Sequence, residues 1–221
     1  MPPSSETVPV AAPAVVELLG LHARVQLAAF TQLAGDAWHA PDLPGQVTLA
    51  RMAAGELAPL DQLERHVREL DADLYAVMDG YTGLLGDLDV RTPPGDWSER
   101  LVRTYVVYGM LADLQRALTV GLGPTTAEVV AEVLADNGYA DFVVAVLGPV
   151  VAQDPQLGAR LGLWGRRVVG EALGIVQRVL ADHPLLVTFL AESETGDDVD
   201  RLRNQLAGGH ARRMERLALK S

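Results

Sequence analysis

Cysteine is absent from the 221-residue chain, which excludes disulfides, thiolate metal sites and a cysteine nucleophile, and suits a reducing compartment. Aromatic residues make up only 5%, a poor composition for strands, which favour aromatic and β-branched side chains. Long apolar runs are missing as well. No stretch reaches a membrane-spanning length without a charge or a breaker, and the opening MPPSSETVPVAAP has no positive region leading into an apolar core. These absences point to a cytoplasmic protein with no membrane partner. Basic residues are scarce, 18 against 29 acidic, giving a net charge of −11. Nucleic-acid affinity rests largely on Lys and Arg neutralising phosphates, so this balance argues against RNA or DNA as a partner. The arginines nearest to a patch are Arg160, Arg166, Arg167 and Arg178, with Arg201, Arg203, Arg212, Arg213 and Arg216 near the C-terminus. They read as solvated helix faces and ion pairs.

What the chain does have is 49% hydrophobic residues dominated by Ala, Leu and Val, enough for one core and suited to tight helix packing. The expected class is all-α. Residues 1–11, rich in Pro, Ser and Ala, read as a flexible arm, 12–192 as a helical bundle, and 193–221 as a linker and C-terminal helix. The apolar spacing predicts helices over Pro13–Ala34, Gln46–Leu70 with a kink at Pro59, and Trp97–Val120. A fourth begins at GPTTAEVV, capped by Thr125 or Thr126, and a fifth covers Leu157–Leu190 with a break near Pro184. A last helix over 198–219 is interrupted at Gly208-Gly209, and Trp38, Trp97 and Trp164 read as helix-end packing.

The apolar stripes carry polar side chains: His22 and Gln26 on the first, Glu56 on the second, and Glu132, Asp136 and Tyr139 on the fourth. An isolated buried carboxylate is costly, so such groups are paired, protonated or bound to metal. One solution is a di-metal carboxylate bundle, in which a Glu from each of two helices joins a Glu-x-x-His pair from each of two others. No phosphate loop, nucleophile elbow or other catalytic signature competes.

The segments VVELLGLHARVQLAAFTQLA, LARMAAGELAPLDQLE, YVVYGMLADLQRAL, EVLADNGYADFVV, LWGRRVVGEALGIVQRV and HARRMERLAL resemble an actinobacterial group of ferritin-like proteins related to the tRNA hydroxylases that act on a modified adenosine. The resemblance runs from about residue 14 to the C-terminus. It implies a ferritin-like four-helix bundle with additional C-terminal helices and a di-iron site. The family pattern has Glu at Gln26, Glu-x-x-His at Glu56 and Pro59, acidic residues around Tyr108 and at Asp113, and an acidic residue then His at Asp136 and Tyr139. Both imidazoles and the first carboxylate are replaced here, so no cofactor and no metal ligand set are expected. Glu56, Asp136 and His22 remain the catalytic candidates, in a pocket lined by Gln26, Pro59, Tyr108, Asp113, Glu132 and Tyr139. The favoured expectation is a non-catalytic or metal-independent protein that binds a small molecule or a partner, either a second copy of itself or a related ferritin-like subunit. The alternatives are an oxygenase with a rebuilt carboxylate site and a metal-free acid/base enzyme.

Overall fold

The computed structural model describes residues 12–190 and 198–220; the expected N-terminal arm and most of the expected linker lie outside them. Eleven helices follow one another among the described residues, with no strand: α1 (Ala12–His39), α2 (Leu43–Leu57), α3 (Leu60–Glu69), α4 (Leu74–Asp79), α5 (Leu88–Arg91), α6 (Trp97–Ala117), α7 (Pro124–Val133), α8 (Tyr139–Gln153), α9 (Pro155–Asp182), α10 (Pro184–Val187) and α11 (Asp198–Arg216).

Local chemistry sets the helix starts. The carboxylates of Asp42, Asp96 and Asp154 accept from the first-turn backbone N–H groups of Gly45, Glu99, and Gln156 and Leu157, donors that have no partner inside a helix. Pro155 and Pro184 occupy first helical positions, where a missing N–H costs nothing. α7 departs from expectation: its cap is Gly123, with no side-chain cap bond, and Thr126 is instead buried and bonded to His66 Nε2 at 2.9 Å.

α1 and α6 form the centre. α1 packs on α2 and α4, α6 on α9 and α11, and the two also touch each other. Residues 18–23 of α1 and 101–107 of α6 are buried without interruption, as expected of helices covered on every side. Leu18, Leu19, Leu21, Leu101, Met110, Leu111 and Leu114 are among the most completely buried side chains, each worth about 1.5–3 kcal/mol of transfer free energy. Among the described helices, α1 is long and apolar enough to cross a membrane by length and composition. Its burial against six neighbouring helices is that of a core helix.

Four expectations need correction. The second helix is two helices, because Pro59 heads α3 and cannot continue the α2 ladder. The fourth is also two, separated by a turn over 134–138 that ends on Gly138 with φ 78°, a left-handed conformation natural to glycine. The last helix runs unbroken through Gly208-Gly209 and packs on α6 and α9. Trp38 is 84% exposed rather than packed at a helix end. Trp164, by contrast, is buried and donates from Nε1 to the Glu99 carbonyl at 2.8 Å.

Candidate ligand cavity

A cavity of about 480 Å³ opens between α1, α6, the α7–α8 turn and α11. One side is built by Gln26 of α1, Glu56 of α2, Asn137 of the turn and Tyr139 of α8. Asn137 Nδ2 donates to Glu56 Oε1. Burial pushes the Glu56 carboxyl above its ordinary range, against the opposing pull of that hydrogen bond. Gln26 Nε2 donates to the Val133 carbonyl at 2.6 Å, while its Oε1, also buried, has no partner among the described residues. The Tyr108 hydroxyl donates to the Ala28 carbonyl at 2.9 Å and that of Tyr139 to Leu101 O at 3.4 Å. Burial raises both phenols well beyond their ordinary range, so both are neutral.

The other side belongs to α6 and α11. Arg213 Nη1 donates to Asp113 Oδ2 at 2.8 Å, and Arg116 stands 3.6 Å from the other oxygen of the same carboxylate. The two helices meet at glycines. A Cβ on Gly109 would fall 2.7 Å from Arg213 Cδ, and one on Gly209 would collide with the Asp113 carboxylate. The buried Tyr105 hydroxyl lies near Arg213 and Arg216.

Beneath the cavity, α1 and α6 are pinned by a polar network around Asp36, which is fully buried. It accepts from Gln32 Nε2 at 2.7 Å, Thr104 Oγ1 at 2.7 Å and Arg100 Nη1 at 3.3 Å. Arg103, also buried, donates to Gln32 Oε1 and to Asp89. Burial dominates the raised pKa of Asp36, and the three donors and the nearby Arg100 charge oppose it.

Six of the nine candidates from the sequence come together here: Gln26, Glu56, Tyr108, Asp113, Asp136 and Tyr139 line the cavity. Asp136 does so from the exposed turn, where Oδ1 accepts from Gly138 N at 2.9 Å. His22, Pro59 and Glu132 do not line it. His22 is sealed in the core, with Nδ1 2.6 Å from Gln115 Nε2. Pro59 is buried at the start of α3, and Glu132 is exposed because α7 ends one residue later. Among the described residues no three His, Asp or Glu side chains converge as a metal site. The sequence reading missed Thr104, Tyr105 and Asn137. The Asn137-Gly138 pair was the available signal, since Asn-Gly marks a turn.

A helical bundle with polar side chains from several helices gathered on an interior cavity is ferritin-like in class. Residues 11–193 match the family model described as a ferritin-like domain of actinomycetes, and the chain belongs to that family. Comparison with curated proteins finds no match. The family match ends before α11, so Arg212, Arg213 and Arg216 are contributed from beyond it.

Proposed function

We propose that this chain is a metal-independent member of its family that binds a small molecule in the cavity between α1, α6 and α11. The observation that carries the reading is Gln26 Oε1, a buried polar atom on its wall with no hydrogen-bond partner among the described residues. An unmade buried hydrogen bond costs about 1–3 kcal/mol, and a ligand supplying the missing partner would recover it. The volume of about 480 Å³ falls in the usual range for such sites, roughly 300–1,000 Å³.

The dinuclear iron that the resemblance to tRNA hydroxylases implies does not fit these residues. Gln26 spends its amide on a backbone carbonyl and Tyr139 holds a neutral phenol. Asp113 is engaged by two arginines. Glu56 and Asp136 are the wall carboxylates without an arginine partner, and two carboxylates with no imidazole fall short of the four carboxylates and two histidines that hold two metal ions. On this reading the metal centre of the related hydroxylases has been lost. The raised Glu56 pKa also supports the second reading, an acid–base enzyme in which Glu56 moves the proton.

Thermal unfolding in the presence of the dialysable fraction of a cell extract tests ligand binding. The native chain is expected to be stabilised and the cavity-filling variant Ala112→Phe not; equal stabilisation of both, or of neither, overturns the proposal. Metal analysis of protein produced with iron and manganese supplied tests the other half. About two metal ions per chain, lost on Glu56→Ala, would restore the oxygenase reading. The α1–α2 corner exposes Trp38, Leu43 and Val47, which supports a second copy of the chain as partner. Sedimentation is then expected to give a dimer that Trp38→Ser dissociates, and a monomer at every concentration would rule it out.

A further inference from the structure

The α11 side of the cavity has a charge opposite to that of the molecule. The chain carries a net charge of −11, yet Arg116, Arg212, Arg213 and Arg216 all line this one wall. Two carboxylates answer them. Asp113 is shared by Arg213 and Arg116, and Asp141 at the rim accepts from Arg216 Nη2 at 2.6 Å. Arg212 is exposed and has no carboxylate partner among the described residues. Four guanidinium groups against these two carboxylates leave a surplus of about two positive charges on this wall at neutral pH, where arginine is always protonated, while the carboxylates of Glu56 and Asp136 line the cavity from α2 and the α7–α8 turn.

The fold also goes to some length to hold Arg213 here. Its side chain is 12% exposed and passes where only glycine at 109 leaves room. Nη1 is paired, whereas Nε and Nη2 are buried without hydrogen-bond partners among the described residues, and the Tyr105 hydroxyl lies near the Arg213 and Arg216 charges. A guanidinium left half unsatisfied weakens a fold unless something else uses the site.

We infer that this wall binds the phosphate of a small organic phosphate, with Arg116, Arg212 and Arg216 around it and Arg213 and Tyr105 behind. The inference deepens the ligand-binding proposal and rests on it. A phosphate monoester carries about −1.5 to −2 charges at pH 7, which matches the surplus, whereas a carboxylate would leave one guanidinium uncompensated. Guanidinium forks also suit the tetrahedral oxygens of phosphate, which accept several N–H bonds at once. The cavity continues past Val25, Leu33 and Tyr108 to Gln26 and Glu56. That leaves room for an organic body whose far end donates hydrogen bonds to those two acceptors.

Calorimetric titration at low ionic strength with phenyl phosphate, inorganic phosphate and benzoate tests it. Phenyl phosphate is expected to bind once per chain and more tightly than either of the others. Arg212→Ala and Arg116→Ala, both at exposed positions, should each weaken it about tenfold, the size of one charge-assisted hydrogen bond, and Ala112→Phe should abolish it. Circular dichroism confirms that the variants are folded. Benzoate binding as tightly as phenyl phosphate, affinity untouched by the arginine variants, or phenyl phosphate binding retained by Ala112→Phe would each overturn the inference. If the dialysable extract still protects the native chain and not Ala112→Phe while phenyl phosphate fails to bind, the phosphate inference falls and the ligand cavity stands.

Discussion

His22 lies fully buried on α1, and desolvation drops its pKa from 6.5 to about 3. Gln115 donates to Nδ1 at 2.6 Å, which leaves the ring proton on Nε2, an atom without a partner among the described residues. The folded state therefore resists a second proton that the unfolded state accepts. Because the folded pKa is the lower one, stability is complete above about pH 6.5 and falls as the pH drops toward 3. At pH 5 the difference is about 1.5 pH units, or about 2 kcal/mol at 1.36 kcal/mol per unit. Against a typical total of 5–15 kcal/mol this is a large loss. His210, with a pKa lowered to about 4 by burial and by Arg213, acts in the same direction. Asp36 and Glu56 act in the opposite one, because their raised carboxyls favour the folded state as the pH falls. The comparison with His22→Gln isolates one group among these. Urea unfolding followed by circular dichroism at pH 7 and pH 5 should show the native chain losing about 2 kcal/mol more than the variant. An identical pH dependence, or an NMR titration of His22 near its ordinary value, would refute the reasoning. His22 is thus buried in the core and does not line the cavity.

Asp36→Ala should destabilise the fold by about 3–5 kcal/mol, because it leaves the buried ends of Arg100, Thr104 and Gln32 facing an empty site; the urea midpoint measures it. Gly209→Ala, which would raise helix propensity by up to about 1 kcal/mol on an isolated helix, should instead cost about 1–3 kcal/mol, since the new methyl collides with Asp113. A higher melting temperature would contradict the close approach of α6 and α11. Glu56→Gln should be neutral or stabilising where the half-buried carboxylate is charged, since burial disfavours that form, and the advantage should shrink as the pH falls and the folded chain takes up the proton. Melting temperatures between pH 7 and pH 4 give the sign.

The helical class and most of the cavity wall were legible in the sequence for different reasons. The Leu and Val spacing of α1 and α6 repeats at the helical period, so the core helices declare themselves locally. Gln26, Glu56 and Tyr139 declare themselves as polar residues on apolar stripes, whereas Tyr108 and Asp113 are indicated only by the family resemblance. What the stripes conceal is where a helix stops. Continuing one stripe from Val129 to Leu147 carried Glu132 and Asp136 into the core, whereas the turn at Asn137-Gly138 releases both to solvent. Asp36 and Arg103 were invisible for a related reason. The partners that join them across the two helices lie 64 to 71 residues away along the chain, and only the packing of α1 on α6 brings these together.

The same turn makes the cavity usable. An uninterrupted helix from α7 into α8 would keep the backbone of residues 134–138 hydrogen-bonded to itself and its polar side chains on a cylinder. The break frees Asn137 to hold Glu56 and puts the α7 carbonyl of Val133 where Gln26 can bond it. Gln26 and Glu56 thus stand as hydrogen-bonded walls, while the arginines gather on α6 and α11. Arginines from a helix beyond the family match then face a pocket inside it. On the proposal that this arginine wall holds a phosphate, the ligand is to be sought among anions rather than metals.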